Sequence, residues 1–521
     1  MKKKSLYFIM LVVASLGISS MLNLGVANTQ QNAKIKIGGL GPLEITPGKD
    51  MQKGLQLAVK EVNDGGGFTV GGTTYDFDLI IETTSDPNTG LPDPATGTLS
   101  MNKLQQQDEV LAIIGGFRTE VVVQLQTLLN RPFLGLGSTA PIITPYFWRV
   151  SPTNGSELTR GLLDFYAFGL APQKSVKNVT IVREEAAWSL AMSTGLKFYL
   201  NYYLPTFVGL PILNFTSDIV IPVTSDLDAV SSAMTPIKSG MTEGTYPTGY
   251  AGSGEVLNVN AIMEIFSGPV GANVPKAWSA LNMSQILAGI NVESQASTYF
   301  DETQGACYGE IEYETAPPDL KHIPALNDYR DAYLAEYGET PTYTAVAAYD
   351  AVMLLKAAIV RAGTVDSEAV QTALLATDHQ GIVSRIKFTS EPNVWTHPIF
   401  GYPYGQVAYY DNGSRYVIPG VPTNLTVHDL YTPLTVAVRG QPYATGYMAQ
   451  WQKGGVKRTI WFNGTSVPMT ENLTEKMEWP IDHSDHGWVS ATTEPSPSFG
   501  FLLVLIVCTS AVLLSKSKRR K

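Results

Sequence analysis

The chain has 521 residues, of which 44% are hydrophobic and 16% charged, and its formal net charge is −10. That length implies roughly two to four units, each able to bury a core. The acidic balance, without basic clusters inside the chain, excludes nucleic acid as an expected partner. Two cysteines, Cys307 in the body and Cys508 in an apolar tail, exclude a disulfide framework and a Cys-rich metal site.

The chain opens on Met1-Lys2-Lys3-Lys4, then an apolar run from Leu6 to Leu16 and small residues up to Ala27. A basic start, an apolar middle and a small-residue exit predict a signal peptide over 1–27. No cysteine follows the apolar run, so a lipid-modified cysteine is not available as a tether.

From Lys34 short apolar strands alternate with amphipathic helices. Ile35-Lys36-Ile37 opens a strand, and Met51, Leu55, Ala58, Val59 and Val62 fall on one helical face before Gly65-Gly66-Gly67. Strands are predicted at Leu79–Ile81, Val110–Ile114 and Pro132–Leu136. After Trp148-Arg149-Val150 the alternation resumes, with strands at Val179–Val182, Ile219–Val223, Ala261–Phe266 and Ile286–Ile290. Helices are predicted near 155–169, 188–201, 226–239 and 273–281, and two long ones around 325–337 and 343–362. Such a pattern predicts an α/β fold with two doubly wound parallel-sheet lobes joined by a hinge. The predicted division is 34–153 with 316–382 as lobe 1, and 154–315 with 383–471 as lobe 2.

Residues 385–470 are rich in Tyr, Pro, Gly and β-branched side chains and read as strands and turns. A stalk is predicted over 472–498, followed by a transmembrane helix over 499–515 and a basic cytoplasmic tail over 516–521. The run Phe499–Leu514 carries no charge and ends in Lys516, Lys518, Arg519, Arg520 and Lys521, which places the bulk of the chain outside the cell. Asn-x-Ser/Thr sequons at Asn154, Asn178, Asn214, Asn282, Asn412, Asn424, Asn463 and Asn472 point to a surface glycoprotein.

Several segments carry a family resemblance. IKIGGLGPLEITPGKDMQKGLQLAVKEVNDGGG, AIIGGF, PFLGLGSTAPIITPYFWRVSP and YGETPTYTAVAAYDAVMLLKAAIVRAG occur in the order found in the Leu/Ile/Val-type (branched-chain amino-acid) binding proteins of ABC transporters. The chain resembles that family over about 34–390, departing from it in a long loop at Asp86–Gly97 and in an extended region after 385. The resemblance implies a type I periplasmic binding fold and a small-molecule ligand, with an ABC permease as membrane partner. Gln406–Pro419 and Gln450–Phe462 are both candidates for the closing strand pair.

Gly115-Gly116-Phe117-Arg118-Thr119 follows a strand and opens a helix, where backbone N–H groups suit a carboxylate. Arg118 is unusual for the family and could clamp that carboxylate with two bonds. By resemblance, the Thr119 hydroxyl, the backbone around Gly137 and the Thr139 hydroxyl contact ligand; Ser138, in the same loop, is also a candidate ligand-binding residue. Trp188 matches the family's aromatic lid, Glu293 its acid for an α-ammonium, and Ser267-Gly268 is a weaker candidate. The glycine runs lack a Lys-Ser/Thr partner, and no nucleophile–base set or zinc-protease His pair occurs. The expected protein is therefore a binding protein rather than an enzyme, without cofactor or metal. Two rival roles fit the same layout: a ligand-sensing ectodomain acting through a partner, and a non-transport surface glycoprotein.

Overall fold

The computed structural model describes residues 32–140, 142, 144–153, 155–198, 213–239, 259–316, 323–383, 385–389, 446–462, 477–485 and 487, with five short strand segments between 395 and 430. The predicted signal peptide, membrane helix and basic tail lie outside the described residues, as do Asn154, Asn412, Asn424, Asn463 and Asn472.

The first lobe is built from β1 (Ala33–Gly41), α1 (Thr46–Asp64), β2 (Phe68–Val70), β3 (Thr73–Thr83), α2 (Pro94–Asn102), β4 (Ile113–Phe117), α3 (Thr119–Leu125), β5 (Phe133–Gly137) and β6 (Phe147–Arg149). Its six-stranded sheet has the order β2-β3-β1-β4-β5-β6. All pairs are parallel except β2 with β3. The last third of the long Asp86–Gly97 loop becomes the start of α2: Asp93 caps it by accepting from the Thr96 amide at 2.7 Å, and Pro94 takes the first turn.

The second lobe comprises α4 (Gly155–Asp164), β7 (Asn178–Glu184), α5 (Ala187–Phe198), β8 (Asn214–Ile221), α6 (Leu227–Ser239), β9 (Ala261–Phe266), α7 (Asn273–Ala280), β10 (Ile286–Asn291) and β11 (Ile311–Glu314). The chain then returns to the first lobe through α8 (Pro324–Tyr337), α9 (Tyr343–Ala362), α10 (Ser367–Leu374), β12 (Asp378–Gln380) and β13 (Arg385–Thr389). It closes the second sheet with β14 (Tyr447–Gln452) and β15 (Val456–Phe462), giving the order β15-β14-β11-β10-β9-β7-β8. The last two strands are antiparallel additions to a parallel core. Of the two candidate closing pairs, Gln450–Phe462 thus completes this sheet, whereas among the described residues Val407–Tyr409 and Arg415–Val417 pair only with each other.

Helix α9 is apolar and long enough to cross a membrane, yet it is a core element: Ala347, Ala348, Ala351, Leu354, Leu355 and Ala358 are buried in the first lobe. It packs against α1 so closely that a Cβ on Gly54 would stand 2.2 Å from the Ala345 carbonyl oxygen. The Asp50 carboxylate locks this corner by accepting from the Thr342 amide at 3.1 Å and the Tyr333 hydroxyl at 3.3 Å.

Two placements differ from the sequence division. Ile386 and Phe388 of β13 are buried in the first-lobe core, with Phe388 tilted against Trp148 at 5.0 Å, so this strand lies on the first-lobe side of the 382/383 boundary. Residues 477–485, within the expected stalk, pack on the second lobe. The Glu478 amide donates to Gln450 Oε1 at 2.8 Å, and the His483 ring meets Trp278 edge-on at 4.2 Å. Apolar Trp479 and Ile481 gain more from that cover than from a free stalk.

Candidate functional site

The two sheets present the carboxyl ends of their strands to one another, and a cavity of about 510 Å³, measured with its open mouth, lies between them. From the first lobe it is lined by Phe117, Arg118, Thr119, Gly137, Thr139 and Tyr343. The second lobe contributes Leu158, Trp188, Ser267, Ile290, Val292, Gln295, Tyr313 and Thr315, and Thr153 comes from the crossover between them. The walls are aliphatic and aromatic, with a ring of hydroxyls and one guanidinium, the composition of a small-molecule site.

Backbone geometry at the end of β4 explains how Arg118 reaches the cavity. Gly115, Gly116 and Arg118 all have positive φ, at 148°, 82° and 69°. For Arg118 that conformation costs about 1–3 kcal/mol, so contacts elsewhere must hold it. Those contacts cross the cleft. Arg118 Nη2 donates to Glu184 Oε2 at 3.2 Å, with the two side chains 5% and 0% exposed, and Nη1 lies 3.4 Å from Glu120 Oε1.

Glu184, the last residue of β7, organises the second-lobe face of the site. Its Oε1 accepts from Trp188 Nε1 at 2.5 Å and from Ser267 Oγ at 2.6 Å, while Oε2 also accepts from the Gly268 amide at 3.1 Å. Four donors on one buried carboxylate satisfy it fully and fix the Trp188 ring over the cavity. On the first-lobe face the Thr119 and Thr139 hydroxyls are 2.8 Å apart, and the Thr139 amide donates to Thr119 Oγ1 at 3.2 Å. Arg149 shapes the same loop by donating to the carbonyls of Ser138 and Ala140.

Of the residues singled out in the sequence, the structure brings Arg118, Thr119, Gly137, Thr139, Trp188 and Ser267 together on the cavity wall. Ser138 and Glu293 are not on its lining. Ser138 is 1% exposed and its hydroxyl has no hydrogen-bond partner. Glu293 is 8% exposed, and its Oε2 accepts from the Thr46 hydroxyl of the first lobe at 2.9 Å. Burial pushes its carboxyl up to about 7; the Thr46 bond opposes that, while nearby Glu302, Asp50 and Glu184 add to it. It thus bridges the lobes beside the cavity, as does the Tyr343 amide donating to Gln295 Oε1 at 3.3 Å. Glu184 escaped the sequence reading because Glu184-Glu185 after a strand looks like a solvated acidic loop. The signal was its four-residue spacing from Trp188.

A family model described as periplasmic binding protein matches residues 244–406. Solved structures repeat the whole two-lobed arrangement. The chain superposes on a leucine-binding protein LivK of Thermotoga maritima with a TM-score of 0.54 at 16% identity, covering 83% of this chain and 99% of that one. The fold is that of the periplasmic binding proteins. A solute-binding protein of an ABC transporter from R. palustris, in complex with benzoate, gives a TM-score of 0.55 at 18% identity over 85% of this chain and 99% of its own. The branched-chain amino-acid binding protein LivJ of Streptococcus pneumoniae, in complex with isoleucine, gives 0.53 at 16% identity over 68% and 92%. No curated protein sequence matches. The resemblance to the Leu/Ile/Val-type binding proteins noted in the sequence therefore holds for the fold of both lobes.

Proposed function

We propose that this chain is an extracellular solute-binding protein of an ABC importer, anchored by residues 499–515, that captures an amino acid or similar small carboxylate. The observation that supports it most is the cavity at the strand carboxyl ends, closed from both lobes by Arg118–Glu184 and Thr46–Glu293. A ligand there bridges the lobes and shifts an open–closed equilibrium toward the closed form. Thr119, Thr139 and Arg118 hold its acidic end, and Trp188 covers its body. The anchor raises the local concentration of loaded protein near the permease without any new contact.

The test uses the full chain purified in detergent and a thermal-shift screen of amino acids and organic acids. A captured ligand raises the melting temperature by mass action, about 2.7 kcal/mol at one hundred times its Kd. No shift with any compound removes the capture reading. Deletion of 499–521 tests the anchor separately: the shortened chain is expected in the medium, and its retention in membranes removes that part.

A further inference from the structure

The cleft also restricts the class of ligand; this inference rests on the solute-capture reading. We infer that the cavity takes an aromatic monocarboxylate without an ammonium group, rather than an α-amino acid.

An α-amino acid brings two charges into the closed cleft, and a buried ammonium needs an acid within hydrogen-bond reach. Among the described residues no Asp or Glu lines the cavity. The buried acids beside its second-lobe lining have partners of their own: Glu312 accepts from the Asn291 amide and from Gln295 Nε2 at 3.3 Å, and Glu314 pairs with Lys457. Glu184 receives four donors, one of them Arg118. Glu293 turns its Oε2 to Thr46 and lies off the wall, which leaves only its buried Oε1 without a partner. An ammonium in this cavity would lose water and gain hydroxyls, the Gln295 amide and ring faces, but no lining carboxylate among the described residues.

An anion fares differently. Arg118 is 5% exposed and lines the cavity, yet its Nε–H has no hydrogen-bond partner. A buried donor without an acceptor is costly, and a ligand oxygen relieves it. The Thr119 and Thr139 hydroxyls carry two protons, and their mutual bond uses one, which leaves a second donor for the same carboxylate. Glu184 and Glu120 on the other nitrogens of the guanidinium disfavour a second negative charge. Phe117, Trp188, Tyr313 and Tyr343 supply rings on both sides of the cleft, so a flat aromatic body gains stacking contacts beyond plain area burial.

Two matched pairs test this in titration calorimetry on the full chain in detergent: 3-phenylpropionate with phenylalanine, and 4-methylpentanoate with leucine. Each pair differs only by the α-ammonium. The expected order has 3-phenylpropionate tightest, about 100-fold above phenylalanine and about tenfold above 4-methylpentanoate. Arg118→Lys keeps a cation beside Glu184 but loses the Nε–H donor. It is expected to weaken 3-phenylpropionate about tenfold while the melting temperature stays near that of the parent. Tighter binding of phenylalanine or leucine than of its deaminated partner overturns the inference and leaves solute capture standing. Equal affinity for 3-phenylpropionate and 4-methylpentanoate overturns the aromatic part, and an unaffected Arg118→Lys variant overturns the anchoring by Nε. Absence of binding by all four compounds overturns the inference, whereas capture itself is judged on the wider screen.

Discussion

Glu184→Gln is the most informative single change in this molecule. The carboxylate accepts from Arg118, Trp188, Ser267 and Gly268 at 2.5–3.2 Å and is fully buried. A glutamine keeps the shape, but its carbonyl oxygen can serve only the donors on one side, and its NH2 then faces the others. It also leaves the buried Arg118 guanidinium with only the longer, part-exposed contact to Glu120 at 3.4 Å as counter-charge. Removing one partner of such a pair costs about 3–5 kcal/mol. For a unit of about 150–250 residues each kcal/mol lowers the melting temperature by roughly 2–4 °C, so a fall of about 6–20 °C is expected. The assay is thermal unfolding of the full chain at low and at ~1 M salt; because the pair is buried, the loss should be nearly the same at both. The double variant Arg118→Met with Glu184→Met removes both charges and should recover more than half of the loss. A Glu184→Gln melt within about 2 °C of the parent refutes the organising role assigned to this residue.

Glu293→Gln tests the pH behaviour of the second bridge. A carboxyl raised from its ordinary value to about 7 binds its proton more tightly folded than unfolded. Its contribution is therefore fully present below about pH 4.5 and is lost as pH rises through 7. At pH 9 the parent carries a penalty of about 3 kcal/mol from this group that Glu293→Gln lacks, so the stability difference between the two should swing in the variant's favour from pH 5 to 9. Parallel pH profiles contradict this. Gly115→Ala should abolish soluble protein or lower the melt steeply, since φ is +148° and a Cβ would sit 2.0 Å from the Leu40 carbonyl oxygen; a parent-like melt contradicts the close β1–β4 approach. Glycopeptide mapping should find Asn282, exposed in a turn, modified, whereas Asn178 and Asn214, whose side chains hydrogen-bond each other at 3.1 Å, should be found unmodified; the reverse pattern contradicts the strand pairing.

Much of this architecture is legible in the residues, and the parts that are not share a physical cause. Strands flanked by helices announce themselves by apolar runs: Ala261–Phe266 is the predicted range, and the long helices α8 and α9 begin and end within a residue or so of expectation. The strand predicted at Val110–Ile114 instead runs Ile113–Phe117, because positive φ at Gly115 and Gly116 carries it through glycines that usually end a strand. Strand β11 escaped notice altogether, since Ile-Glu-Tyr-Glu reads as a solvated edge. In the fold Glu310, Glu312 and Glu314 are all buried, held by Asn291, Tyr299, Gln295 and Lys457. The loops after β4 and β5 were readable as cavity wall from their glycines and hydroxyls. Glu184, Tyr313 and Tyr343 were not, because their role arises only when the two lobes face each other. The same holds for Glu293, whose place beside the cavity is set by Thr46, 247 residues away in the chain.

The most direct test of solute capture is titration calorimetry of the full chain against a panel of amino acids, aromatic carboxylates and aliphatic carboxylates. A saturable isotherm with one site per chain for at least one compound, weakened by Arg118→Lys, is the predicted result. Flat titrations across the whole panel, from protein that melts cooperatively, contradict capture in the interlobe cavity.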